Sequence, residues 1–218
     1  MTLERIDVPG DPPVRGVLHP ASGQDGLVLT HGAGGNMDGP LLVAVADAFA
    51  ARGVWVLRCN LPYRQARPNG PPSPSGAARD REGLRAALSV LRVRARGRLF
   101  VGGHSYGGRM ASILVAAEPS LASGLLVQSY PLHPPGKPKD LRTAHLPAIR
   151  VPVLFVHGTT DPFATPAELA AARALIPART SALDVNGGHD LGWSAKRGDR
   201  QLPERVAAAF LELVGGTS

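Results

Sequence analysis

Leu99-Phe100-Val101-Gly102-Gly103-His104-Ser105-Tyr106-Gly107-Gly108-Arg109-Met110-Ala111-Ser112 is the stretch that decides the fold. Its apolar start, Leu99 to Val101, reads as a strand. Gly103-His104-Ser105-Tyr106-Gly107 follows at once, and Arg109 to Ala117 reads as a helix. A chain that reverses this tightly between strand and helix needs small residues on both sides of the apex. The serine at that apex has an exposed hydroxyl and a strained backbone. Gly-x-Ser-x-Gly recurs by chance, and the strand–turn–helix setting is what gives this copy its weight.

Outward from this turn, strand and helix signals alternate. Leu3 to Val8 and Val14 to Leu18 read as short strands forming an antiparallel edge. Gly26 to Thr30 is a buried strand, Asp38 to Arg52 a helix with Leu41, Leu42, Val45 and Phe49 on one face, and Val54 to Leu57 the next strand. Cys59 to Gly76 reads as a long loop rich in Pro and Gly. Ala77 to Arg96 is a helix with Leu84, Leu88 and Leu91 at helical spacing. Beyond the serine turn come strand Gly124 to Gln128, strand Val151 to His157 and helix Thr165 to Ile176, with Thr165 as its cap and Pro166 in its first turn. Strand Ser181 to Val185 and helix Pro203 to Val214 close the chain. This alternation predicts a mostly parallel sheet with helices on both faces, an α/β protein with one domain over residues 1–218.

Composition narrows the function classes. The chain has 218 residues, 44% of them hydrophobic, enough for one sizeable core. The start, Met1 to Asp7, lacks the apolar core of a signal peptide, and no stretch has the length of a membrane span. A cytoplasmic location with no membrane association is therefore expected. A single cysteine, Cys59, excludes an intrachain disulfide and a multi-cysteine zinc site. The net charge of +7 comes almost wholly from Arg, since Lys stands only at 137, 139 and 196. The densest run, Arg92-Val93-Arg94-Ala95-Arg96-Gly97-Arg98, falls at a helix C-terminus, where the helix dipole favours cations. No aromatic residues interleave with it, so nucleic acid is not expected as a partner.

Serine at neutral pH is a poor nucleophile. It needs a base within hydrogen-bond reach, and the base needs an acid to orient it. For a serine on a strand–turn–helix, the chain order is Ser, then Asp or Glu, then His. Asp161 follows the strand ending at His157, at the sheet edge where Ser105 stands, and is the expected acid. Asp184 sits within a strand and is the weaker choice. His189, in Asn186-Gly187-Gly188-His189-Asp190, follows the last strand and is the expected base; His133, His145 and His157 all precede Asp161 and break the order. The oxyanion of an acyl-transfer intermediate needs two backbone N–H donors. Tyr106 supplies one and Ala33 the other, from His31-Gly32-Ala33-Gly34-Gly35 after the strand Gly26 to Thr30, with Gly34 as second choice. That glycine loop matches neither phosphate-binding pattern, so no nucleotide is expected. Neither a metal nor an organic cofactor is implied.

With these residues assembled, the chain resembles the α/β-hydrolase superfamily over nearly its whole length. The resemblance is carried by Leu29 to Gly35, Gly102 to Ser112, Val156 to Pro162 and Gly187 to Asp190. More narrowly it resembles the small, capless branch related to the dienelactone hydrolases. That branch includes the hydrolase-like domain of a chromatin-acetylating-complex subunit and its testis-expressed relative, and Gln128 to Lys137 also resembles that subfamily. The resemblance implies the α/β-hydrolase fold without a cap domain, and Ser105, Asp161 and His189 acting together. Dienelactone hydrolases carry a cysteine where this chain has Ser105, so their substrate is not carried over.

Only Ser129 to Arg150 separates the strand ending at Gln128 from the next, too little for a lid domain. A shallow, open site is expected, framed by Cys59 to Gly76 and Ser129 to Arg150, with Tyr63, Arg64 and His133 as candidate lining residues. The expected function is a serine hydrolase of small or short-acyl carboxylic esters, as monomer or homodimer. The alternatives are a hydrolase-shaped interaction module with little activity, or an acyltransferase or peptidase using the same residues.

Overall fold

The strand signals assemble into one eight-stranded sheet, and the computed structural model describes residues 2–194 and 198–216 of the chain. The strands are β1 (Glu4–Val8), β2 (Val14–His19), β3 (Gly26–Thr30), β4 (Trp55–Cys59), β5 (Leu99–His104), β6 (Leu125–Gln128), β7 (Val153–Gly158) and β8 (Thr180–Val185). Their spatial order is β1-β2-β4-β3-β5-β6-β7-β8. β1, β2 and β4 pair antiparallel, and every pairing from β4 through β8 is parallel. The antiparallel edge and the parallel body match the sequence expectation.

Alternation along the strands divides the core into two layers. In β3, Leu27 and Leu29 face one side and Val28 the other; in β7, Leu154 and Val156 oppose Val153 and Phe155. On the first side pack α1 (Pro40–Ala51) and α6 (Leu202–Gly215), with Phe49 and Phe100 both edge-on to Phe210. On the second pack α3 (Ala77–Arg92), α4 (Tyr106–Ala117) and α5 (Pro166–Arg173). Parallel strands covered on both faces read as unbroken apolar runs, which is why Leu125–Gln128 and Val153–Gly158 are buried at every position.

Several element boundaries differ from the sequence expectation, each for a local reason. The segment Cys59 to Gly76 is not all loop. Pro62 starts a short helix, α2 (Pro62–Ala66), and Pro74–Gly76 form one 3₁₀ turn. α3 ends at Arg92, before the predicted Arg96, where the Arg92 guanidinium turns back onto the Ala95 carbonyl. β5 runs on through Gly102 and Gly103 to His104 because two parallel neighbours pair with it. α4 begins at Tyr106 rather than Arg109. The arginines near the end of α3 have local partners: Arg94 pairs with Glu4, and Arg98 pairs with Asp25 and reaches the Val214 carbonyl.

Strand order reverses at β3. From β3 the chain steps outward to β4, then crosses back past β3 to β5 and continues to β8. Crossovers leave β3 and β5 on opposite faces, so a crevice opens at their carboxyl ends. The loop after β3 and the serine turn after β5 both lie there. No cap domain is present among the described residues. Nor is any described helix long and apolar enough to cross a membrane.

Candidate active site

Ser105 forms the junction of β5 and α4. Its backbone has φ 50° and ψ −117°, a conformation that costs a non-glycine residue energy and survives only where surroundings impose it. Here they do. The Ser105 N–H donates to the Gln128 carbonyl at 2.7 Å, and the Ser105 carbonyl accepts from the Arg109 N–H at 2.9 Å. Glycine at 107 is required by close approach, since a Cβ there would lie 2.5 Å from the His31 carbonyl oxygen. The turn is thus wedged against the loop that leaves β3.

His189 and Asp161 reach Ser105 from the ends of β8 and β7. The Ser105 hydroxyl donates to His189 Nε2 at 2.8 Å, and His189 Nδ1–H donates to Asp161 Oδ2 at 2.9 Å. The Asp161 side chain is fully buried, and its other oxygen accepts from the Phe163 N–H at 2.9 Å. A buried carboxylate is tolerated only when hydrogen-bonded in this way. The two strand-end loops interlock: Thr159 N–H donates to the Val185 carbonyl and Thr160 N–H to the Gly187 carbonyl. The fit leaves no room at Gly158, where a Cβ would stand 2.1 Å from the Gly188 carbonyl oxygen. The structure therefore brings Ser105, His189 and Asp161 together, while Asp184 stays exposed within β8.

Two further side chains fix the His189 ring. Phe163 lies 4.3 Å from it, centroid to centroid, and His104 lies 5.1 Å away on edge. His104 Nε2–H also donates to the His189 carbonyl at 2.8 Å. Burial pushes the His104 imidazole below its usual range, so it stays neutral beside the His189 ring. Neither Phe163 nor His104 stood out in the sequence. Their contacts join segments 26 and 85 residues from His189, which no local pattern records.

The loop His31 to Gly35 is held from behind. Tyr63 donates its hydroxyl to the Gly32 and Ala33 carbonyls, both at 3.0 Å. Arg64 donates to the Gly35 carbonyl at 2.8 Å and to the Ala33 carbonyl at 3.0 Å. His31 Nδ1–H donates to the Gly32 carbonyl, and its Nε2 accepts from the Leu61 N–H. Across a trans peptide, the carbonyl and the following N–H point in opposite directions. Carbonyls drawn toward Tyr63 and Arg64 therefore turn the Ala33 and Gly34 N–H groups away from α2. The Ala33 and Tyr106 N–H groups donate to no main-chain carbonyl among the described residues. The position of a Gly32 Cβ would be 3.3 Å from Ser105 Cβ, so this loop abuts the serine.

Of the expected lining residues, Arg64 borders a cavity with Ala33, Gly34, Asn69, Gly70 and Pro71, while Tyr63 and His133 are buried against neighbouring segments. Tyr63 and Arg64 are buried buttresses of the glycine loop. His133 is buried beside Glu168 of α5, at 3.5 Å, with its N–H on the Phe163 carbonyl. The cavity beside the serine turn is framed instead by the segment His31 to Leu42 and by Asp190 to Ser194. Asp80 is a residue the sequence reading missed. It is fully buried in α3 and accepts from the Tyr63 N–H at 3.0 Å and the Tyr106 hydroxyl at 2.6 Å. It stands one turn before Leu84 on the apolar face of α3, and a carboxylate within such a stripe was the available signal. Among the described residues no cluster of His, Cys, Asp and Glu is arranged to hold a metal ion.

The same architecture recurs in solved structures. A dienelactone hydrolase from Anabaena variabilis is 17% identical, with TM-score 0.77 and 97% of each chain covered. Est1E from Butyrivibrio proteoclasticus is 16% identical, with TM-score 0.77 over 97% of this chain and 99% of that one. A serine hydrolase without a lid from Xanthomonas campestris is 16% identical, with TM-score 0.74 over 100% of this chain and 98% of that one. At these identities the likeness is one of fold. The family model described as an alpha/beta hydrolase domain matches residues 23–214. With the strand order, the serine turn and this match in agreement, the chain belongs to the alpha/beta hydrolase domain family.

Proposed function

We propose that this chain is one hydrolase domain that cleaves small carboxylic esters through an acyl-enzyme on Ser105. His189 takes the proton from the Ser105 hydroxyl as its oxygen attacks the ester carbonyl carbon. Asp161 holds the imidazole in the tautomer with Nδ1–H and stabilises the imidazolium that forms. The N–H groups of Ala33 and Tyr106 receive the negative charge on the former carbonyl oxygen. His189 then gives its proton to the leaving alcohol. Water repeats the sequence on the acyl-enzyme and releases the acid.

The observation that carries this reading is the unbroken hydrogen-bond chain from Ser105 to His189 to Asp161, at 2.8 and 2.9 Å, on a serine held at φ 50°. A fluorophosphonate probe tests it, with the adduct located by peptide mass spectrometry. Labelling is expected at Ser105 and is expected to vanish in His189→Ala. Turnover of 4-nitrophenyl acetate is expected to fall by on the order of 10⁴ or more in Ser105→Ala with the circular dichroism spectrum unchanged. Folded wild-type protein that neither labels nor hydrolyses overturns the proposal.

A further inference from the structure

Resting on the ester-hydrolase reading, we infer that the cavity beside the serine turn is the specificity pocket for one substituent of the ester, an aromatic ring bearing a hydrogen-bonding oxygen that Gln128 recognises. The cavity has a volume of about 210 Å³. Its walls are mainly apolar, from Pro40, Leu41, Leu42 and Trp193, and Gly32 and His104 bring it against the serine turn. An apolar cavity of about 150 Å³ is enough to hold a benzene. The larger space here accommodates a ring with one polar addition.

Gln128 supplies the polar element. It ends β6, is 1% exposed, and its main-chain carbonyl already holds the Ser105 N–H. Gln128 lines the cavity, and its side-chain Nε2 is buried with no hydrogen-bond partner among the described residues. A leucine or methionine would fill this position without stranding an amide. A buried donor left unpaired beside a reacting centre is accounted for when a ligand oxygen completes it.

Charges of both signs flank the cavity. His31 is pushed down to about 4 by burial, and His104 is lowered by the same cause, so both imidazoles are neutral at pH 7. Among the described residues, the Asp190 carboxylate lines the wall and accepts from the Gly192 and Ser194 N–H groups, and the Arg200 guanidinium stands 5.0 Å over the ring of the wall residue Trp193.

The test uses the full chain and two ester series. One places the ring on the acyl side, as 4-nitrophenyl esters of 3-phenylpropanoate and 3-(4-hydroxyphenyl)propanoate, with the acetate as reference. The other places the same rings on the alcohol side, as acetates. In one of the two series, kcat/KM is expected to be highest for the hydroxyl compound, about tenfold above the unsubstituted ring. Gln128→Leu is expected to erase the hydroxyl preference, and Leu42→Trp to lower the ratio of aryl to acetate kcat/KM at least tenfold. 4-Ethylphenol is expected to inhibit the wild-type aryl reaction competitively, a readout that needs no variant to fold. The inference is overturned if neither series shows the order, if 4-ethylphenol does not compete, or if labelled, folded variants keep wild-type selectivity. Labelling at Ser105 separates the two failures. A wild-type protein that does not label brings down the hydrolase reading, whereas one that labels and cleaves acetate without ring selectivity brings down the pocket alone.

Discussion

Ser105 illustrates how much one residue depends on others far away in sequence. Its φ of 50° is imposed by a glycine at 107, by the Gln128 carbonyl and by the first turn of α4. The Gly-x-Ser-x-Gly pattern made that strain legible before any coordinates. Its buttress was not legible. Tyr63 and Arg64 stood out as polar residues in a loop, and their positions facing the crevice or backing it are equally compatible with sequence. The structure turns both toward the carbonyls of Gly32, Ala33 and Gly35. Removing the Tyr63 hydroxyl leaves the Gly32 carbonyl to His31 and the Gly35 N–H and the Ala33 carbonyl to Arg64, and loosens the peptide that presents the Ala33 N–H. Tyr63→Phe is therefore expected to lower kcat for 4-nitrophenyl acetate by about tenfold with little change in KM, less than the ~10²–10³ of deleting a direct oxyanion donor. An unchanged kcat would show that the loop holds its shape without Tyr63.

At the scale of elements, cap chemistry and crossover order do most of the positioning. Thr165 accepts from the Glu168 N–H at 3.2 Å, the cap expected from the sequence, while Glu168 accepts from the Thr165 N–H at 2.8 Å, a reciprocal bond the sequence reading did not include. That cap starts α5, whose Leu169 and Ala172 enter the core directly after the turn carrying Asp161 and Phe163. Thr165→Ala is expected to destabilise the fold by about 1 kcal/mol, read as a shift of the urea midpoint with unchanged slope. The α2 segment was the element least legible. Five residues starting at a proline give no helical period, and α2 forms because Asp80, Arg64 and His31 satisfy polar groups around it. The start of α4 was likewise hidden, because Gly107 and Gly108 read as loop and become helix only when packed against Thr30, Gly103 and Val127.

Across the whole molecule, buried imidazoles couple stability to pH. His31 and His145 are both pushed down to about 4 by burial, and His19 is lowered by burial and by Arg58. Each folded value lies below the ordinary 6.5 that the unfolded chain recovers. Between those values the unfolded state binds more protons, so acid favours unfolding. Stability is expected to be full above about pH 6.5 and to decline toward pH 4, as read from urea midpoints at pH 7.5, 6, 5 and 4.5. His145→Gln keeps a partner for the Ser112 hydroxyl and is expected to flatten that decline. A midpoint independent of pH over this range would refute the coupling. Below it, Glu118 and Glu168, held under the usual carboxylate range by hydrogen bonds to Arg85 and Thr165, act in the same direction.

Sequence by itself determined what depends on neighbouring residues and on order along the chain. Apolar runs and helical stripes specified an α/β sheet, glycine spacing specified the serine turn, and the order Ser105, Asp161, His189 named the three side chains that meet. Tertiary structure alone decided what depends on which surfaces face each other. It opened one cavity against His31 to Leu42 and Asp190 to Ser194 and another between Ala33, Gly34 and the segment 64–71, and turned the Tyr63 hydroxyl toward the glycine loop. It also set Phe163 and His104 against the His189 ring and enclosed Asp80 between Tyr63 and Tyr106. The physical reason is that period and turn chemistry act within a few residues. Enclosure of a polar group is a property of packed elements, and a chain acquires it only when distant segments close on one another.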